Sequence, residues 1–283
     1  ENRATGVRYL HRVHQQEGEV RGRTVVVACA CVQSIALLMM STSARYPNGL
    51  ANSSGQLGRH FIPHFTGGIE CLLEGLRGKA ATNDEGFLDH AYLPSFMHKR
   101  KRGYARSFGA QLNYQNRRFA GWAKAIGGFG KTYKAAVKAG YPAFMQFTPY
   151  GEMLPNAQSY VDLDPTRSDK FGLPQPRRHV HWGANEEALF NDMVRWSLAM
   201  LEKAGAEILT VPDGPAPNHE LGGCRMGRDP RTSVLNAHNQ VHACTNVYVT
   251  DGSAMTSASC VNPSLTITAM TEHAMSQIPA RVS

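Results

Sequence analysis

The sequence predicts a mixed α/β fold, α+β overall, and three observations carry that reading. The run Val25-Val26-Val27-Ala28 is apolar without interruption, as a strand covered on both faces in the middle of a sheet requires. Val247-Tyr248-Val249 reads as a second strand, ending in Asp251-Gly252 and followed by a helix that starts near Asn262-Pro263. Between them, segments 87–92, 108–114 and 141–148 read as strands rich in aromatic residues.

Taken in order, Val7, Tyr9, His11 and Val13 alternate over 6–13 as a strand does, 15–18 forms its turn, and 20–30 is the return strand. Ser34 is placed as the cap of a short helix over 35–40 that ends before Pro47-Asn48-Gly49. After the aromatic strands, 152–155 and 161–165 read as strand and turn. A helix over 186–203 then places Leu189, Met193, Trp196, Met200 and Ala204 on one face, with Gly205 as its stop. A strand over 207–211 and the turn 212–215 bring the chain to His219. In the last helix Asn262 is the expected N-cap and Pro263 the first residue, with Leu265, Ala269, His273 and Ile278 at helical spacing. Its open N–H groups and the positive end of its macrodipole make a site for negative charge.

The last quarter holds four blocks in series. They are His219-x-x-Gly222-x-Cys224-Arg225-Met226-Gly227, Asp229-Pro230-x-x-Ser233-Val234, Asn246-x-Tyr248-Val249-x-Asp251-Gly252-Ser253 and Asn262-Pro263-Ser264-Leu265-Thr266-Ile267. Together they resemble the C-terminal signature of the glucose-methanol-choline (GMC) family of FAD-dependent oxidoreductases. A single histidine among 12 is more often structural than catalytic. The four blocks together reverse those odds.

The resemblance implies part of a Rossmann-like FAD-binding domain, built from 1–64 and 215–283, and a substrate domain over 65–214 based on an antiparallel sheet. His219 would be the base that takes an alcohol proton, and Asn262 the second catalytic group. Asp251, Gly252, Asn262, Pro263, Ser264 and Leu265 would contact the flavin, and Ala30 would stand where the family usually has glycine at the FAD pyrophosphate. Segments 152–156, 161–165 and 169–174 look like the sugar-oxidising branch, for which Phe144, Phe147 or Tyr150 could stack on a sugar face. The implied substrate is a sugar or other alcohol, and a cytochrome or other electron-acceptor subunit is a possible partner. A Gly-x-Gly-x-x-Gly turn does not occur in the sequence, so the N-terminal half of the flavoprotein is expected to supply it.

Composition narrows the alternatives. With 283 residues, 42% apolar, the chain can bury a large core in one or two domains. The net charge of +8 is dispersed apart from 98–102, which reads as a solvated loop or an acidic partner's docking surface, so no nucleic acid is expected. Gly127-Gly128-Phe129-Gly130-Lys131-Thr132 ends like a phosphate loop, but its first glycine position is Ala125. His60/His64, His179/His181 and His238/His242 are spaced like metal ligands without a completing carboxylate, so no metal is expected. The six cysteines show no paired motif and read as small buried hydrophobes. The compartment stays open, a periplasmic or membrane-associated complex being preferred to the cytoplasm.

Overall fold

A computed structural model describes residues 2–79, 90–95, 102–114 and 121–278. The chain opens with the antiparallel hairpin β1 (Gly6–Leu10) and β2 (Glu17–Arg21). The first strand stops earlier than its alternation predicts, because His11 turns the chain and its Nδ1 accepts the N–H of Val13 and His14. The expected return strand is two elements. Beyond β2, β3 (Val25–Val27) leaves the hairpin and pairs in parallel with 247–249, Val25 opposite Val247 and Val27 opposite Val249. Val27 is buried while Val26 is 44% exposed, so β3 is not the doubly covered strand its apolar run predicts. Among the described residues this is a two-stranded sheet, with one face left open.

Helix α1 (Cys31–Met40) starts four residues before the expected position. Ser34 is therefore no cap. It sits inside the first turn, where its hydroxyl accepts the Cys29 N–H and donates to the Asp251 carboxylate. The cap position falls to Ala30, at φ 69° and ψ 155°, a region populated almost wholly by glycine. Ile35 and Leu38 carry α1 into a core with Val27, Leu235, Val241 and Val249.

The middle of the chain forms an antiparallel sheet, as expected. Its strands are β4 (His64–Thr66), β5 (Ile69–Leu73), β6 (His90–Leu93) and β7 (Phe108–Tyr114), followed after α2 (Gly130–Gly140) by β8 (Phe144–Gly151). A separate ribbon, β9 (Tyr160–Ser168) with β10 (Pro174–His179), and the helix α3 (Ala184–Lys203) lead to β11 (Ala206–Thr210) and β12 (Ala216–Asn218). The seven-stranded sheet runs β11-β5-β8-β4-β12, with β7 also on β8 and β6 beyond β7. Strand 108–114 falls where its pattern places it. The one expected over 141–148 begins three residues later, because Pro142 holds 141–143 in a 3₁₀ turn. Segment 152–155 is not a strand, and the opening of the 87–92 strand, like most of the basic run 98–102, lies outside the described residues. The segment resembling a phosphate loop follows a 3₁₀ turn at Gly121–Ala125 instead of a strand.

Helix α3 matches its expected span to within two residues, opened by the Gly183 N–H on the Glu186 carboxylate and ended before Gly205 at φ 69°. Its buried stripe is Leu189, Phe190, Met193, Ser197 and Leu201, rotated from the expected face so that Trp196 and Met200 are half-buried. Leu189, Phe190 and Met193 pack on Phe65 of β4 and Phe108 of β7. Phe144 and Phe147 are buried in the sheet's own cores and line no open surface. Five of the six cysteines are buried, Cys29 is exposed, and none is bridged.

The chain ends with β13 (Val247–Val249) and α4 (Ser264–Ser276). Buried Asn246 fixes β13 to the N-terminal segment, its amide donating to the Ala4 and Arg23 carbonyls and its oxygen accepting the Ala4 N–H. Among the described residues no helix is long and apolar enough to cross a membrane.

The backbone at Ala30 supplies a test of the strain. Replacing Ala30 with glycine is expected to raise stability by about 1 kcal/mol, since a left-handed conformation costs a residue bearing Cβ roughly that much. Urea denaturation should show a higher midpoint at an unchanged slope, and a lower midpoint would mean that the conformation is not strained.

Candidate active site

The antiparallel pairing of β12 with β4 puts Asn218 opposite His64. His219 follows one residue later, at φ 47°, a left-handed turn in which the Asn218 side chain accepts the His219 N–H at 2.8 Å. The turn swings the His219 ring over His64. Their Nδ1 atoms lie 2.9 Å apart and the rings meet edge to face at 87°. His64 is fully buried, and its Nε2 lies 2.9 Å from the Ala258 carbonyl. Tyr150 of β8 places its ring 5.3 Å from that of His219, and its hydroxyl engages the Asn218 side chain. His219 also lines a cleft of about 480 Å³ with Phe61, Val180, Asn218 and the Arg178–Glu220 ion pair.

The loop that passes His64 at Ala258 continues to Asn262, the other residue named from the sequence. Asn262 is exposed, and its Oδ1 accepts the Gln111 amide of β7 at 2.6 Å. It is not the N-cap of α4. That position falls to Pro263, with no side-chain cap, and the helix proper starts at Ser264, one residue later than expected. The reason lies across the sheet: the Asn262 oxygen that would close the first turn is held by Gln111 of β7 instead. The N–H groups of Ser264, Leu265 and Thr266 have no backbone acceptor among the described residues, as at any helix start, and gain no side-chain cap. Leu265 is 82% exposed beside them.

Asp251 is buried and committed within the protein. Ser34 takes one carboxylate oxygen, and the N–H and hydroxyl of Ser253 take the other. Gly252 is buried behind His219, its carbonyl accepting the Gly222 N–H. A Cβ on Gly252 would come within 2.9 Å of the Glu220 carbonyl, which accounts for glycine there. Ala30 is exposed at the start of α1, just past the end of β3, the strand end at which ligands of α/β sheets bind. An FAD group fits this donor set. The uncapped start of α4 and the open Ala30 turn offer backbone N–H groups to anionic edges, and Leu265 offers an apolar surface to a flat ring.

Burial dominates the electrostatics. It pushes the His219 imidazole below its ordinary pKa of 6.5, and the neighbouring His64 adds to the effect. Burial likewise lowers His64, opposed by hydrogen bonds to the backbone of Ala258 and Ser259 and by the charge of Glu152. Burial raises Tyr150, opposed by its hydrogen bond to Asn218. Both imidazoles are thus held neutral at neutral pH.

His64 and Gln111 are the site residues that the sequence reading did not name as such. For His64 a signal existed, its spacing from His60, but it pointed to metal chemistry. In the fold, His64 turns to His219, while His179 bonds Asp162 and His242 bonds Ser233. For Gln111 no sequence signal was available, since its partner lies across the sheet.

A family model described as GMC oxidoreductase matches residues 155–271. The 2-methyl-1,2-propanediol dehydrogenase of Mycolicibacterium austroafricanum is 30% identical over 99% of this chain and 52% of its own length. The fructose dehydrogenase large subunit of Gluconobacter japonicus is 26% identical over 98% of this chain and 51% of its own. The chain therefore spans about half the length of these curated relatives. Among solved structures, pyridoxine 4-oxidase from Mesorbium loti superposes with a TM-score of 0.66 at 17% identity, over 98% of this chain and 55% of that one. That likeness establishes the fold.

The depressed imidazoles set a pH dependence. A histidine kept neutral in the folded state binds fewer protons than the unfolded chain does, so stability is fully present above the ordinary value of 6.5 and falls as pH drops from there toward the folded pKa values. Stability measured between pH 8 and pH 5 should decline below roughly 6.5, the unperturbed histidine value. The decline should be shallower in His64→Phe, and an equal slope in both proteins would remove His64 from the effect.

Proposed function

This chain belongs to the GMC oxidoreductase family, and from that premise we propose that it carries the alcohol-oxidising site of an FAD-dependent enzyme acting on a CH–OH group of a sugar or similar polyol. The observation that carries this reading is the convergence of two segments on one buried residue: His64 bonds His219 on one side and the Ala258 carbonyl, four residues before Asn262, on the other. In the proposed reaction the hydroxyl proton passes to the His219 imidazole as the carbinol hydrogen leaves with the electron pair of its C–H bond. When bound, FAD supplies the acceptor for that hydride. The carbonyl product forms with Asn262 donating to the oxygen as it gains negative charge. Gln111 already holds the Asn262 oxygen, so in this reading the Asn262 N–H₂ is the group left to donate to the substrate. The start of α4 and the Ala30 turn would hold the anionic edges of the cofactor.

In this reading, 1–64 and 215–283 build the FAD-binding domain around the β3/β13 core, and 65–214 supplies the substrate domain on the seven-stranded sheet. Similarity to a protein named as a large subunit favours one further reading, a flavoprotein subunit that passes electrons to a cytochrome or other acceptor subunit. The chemistry at His219 is the same in both, and a dehydrogenase is preferred to an oxidase.

Replacing His219 with alanine in the FAD-loaded protein should slow anaerobic flavin reduction by about 10²- to 10⁴-fold, the usual contribution of a positioned base, without loss of bound flavin. Stopped-flow absorbance measures it, and an unchanged reduction rate would take His219 out of the mechanism. Little peroxide under air, with rapid turnover on an artificial electron acceptor, is expected of a dehydrogenase.

A further inference from the structure

We propose that His64 is a positioning residue that fixes the tautomer of His219, holding the proton on Nδ1 and presenting the Nε2 lone pair as the base. The inference deepens the proposed function and rests on it for the identity of the reaction, although the tautomer itself is a property of the resting protein.

Counting protons around the pair leads to this tautomer. The Ala258 carbonyl can only accept, so the nitrogen facing it at 2.9 Å, His64 Nε2, carries a hydrogen. His64 is fully buried, and Glu152, the carboxylate whose charge acts on it, is paired with Arg106, so a charged His64 would be buried with no anion bonded to it. Neutral His64 has one N–H, already placed at Nε2, and its Nδ1 is therefore a lone pair. That lone pair faces His219 Nδ1 at 2.9 Å. Two lone pairs at this separation repel, whereas an N–H from His219 makes a hydrogen bond of ordinary length. His219 must carry its proton on Nδ1, which leaves Nε2, on the far side of the ring, unprotonated. His219 Nε2 has no hydrogen-bond partner among the described residues.

The other polar groups packed around the pair do not compete for these positions. From β8, the Tyr150 hydroxyl lies by the Asn218 side chain and makes no hydrogen bond to either ring, and from β12 the Asn218 oxygen takes the His219 backbone N–H. When His219 accepts a proton at Nε2, its Nδ1–H stays on His64, so the same contact serves both protonation states. A base oriented in this way needs no rearrangement as it works.

The test is ¹⁵N-histidine NMR on the FAD-loaded protein without substrate, at a pH above both imidazole titrations, with the His219 signals assigned by their loss in His219→Ala. The expected spectrum shows a pyrrole-type Nδ1 and a pyridine-type Nε2 for His219. In His64→Phe, which keeps a ring but no acceptor, the two nitrogens should become mixed, and flavin reduction should slow by roughly 10- to 100-fold, a part of the whole contribution of proton transfer. Binding of a non-reacting substrate analogue should not change. In His64→Asn, whose amide oxygen can replace the lone pair, the Nδ1–H pattern and most of the rate should return. A wild-type His219 protonated on Nε2, or a tautomer unaltered in His64→Phe, overturns the proposal. If His64→Phe does not fold, the wild-type spectrum decides alone. A protein that reduces its flavin with no alcohol sinks the proposed function instead, and the spectrum still decides the tautomer.

Discussion

The site depends on one buried imidazole reached from two sides. His64 lies at the start of β4, opposite Asn218 of β12, and this register hands it both His219 and the loop at Ala258. Because His64 is fully buried, each of its ring nitrogens needs a hydrogen-bond partner. That requirement holds in place two segments that are distant along the chain. The sheet behind it is built to the same end: β8 pairs with β4, β5 and β7, so Tyr150 and Gln111 arrive on one side of the histidine pair, at His219 and Asn262 respectively.

A second buried node supports the first. The Asp251 carboxylate joins the end of β13 to the first turn of α1 through Ser34, and to its own turn through Ser253. These contacts engage both oxygens, so Asp251 aligns the ends of β3 and β13 with the start of α1. The Gly252 carbonyl extends the node to Gly222, three residues past His219. The end of the β3/β13 sheet and the His219 turn are in this way parts of one hydrogen-bonded framework, held against the core of Ile62, Leu221, Met255 and Ala258.

Elements with strong local signals were legible. Strand 108–114 and the helix with its Gly205 stop lie where their patterns put them, because alternation and capping are set by neighbours in sequence. Errors fell where a distant partner decided. Ser34 looks like a cap until Asp251 claims its hydroxyl, Asn262 looks like one until Gln111 claims its oxygen, and α1 and α4 shift accordingly. The valine run signalled a strand correctly but not its environment, since apolar sequence is compatible with an open face as well as a covered one.

The sequence by itself pointed to the family, through four blocks whose order and spacing carry His219, Asp251 and Asn262, and it placed the strand over 108–114 and the long helix that ends before Gly205. Tertiary structure alone decided which nitrogen of His219 faces a partner, what orients Asn262, and that His64, spaced like a metal ligand, belongs to the histidine pair. The division has a physical cause. Propensity and periodicity act over a few residues, whereas the proton on a buried imidazole is assigned by acceptors brought together from across the sheet, and no local pattern encodes them.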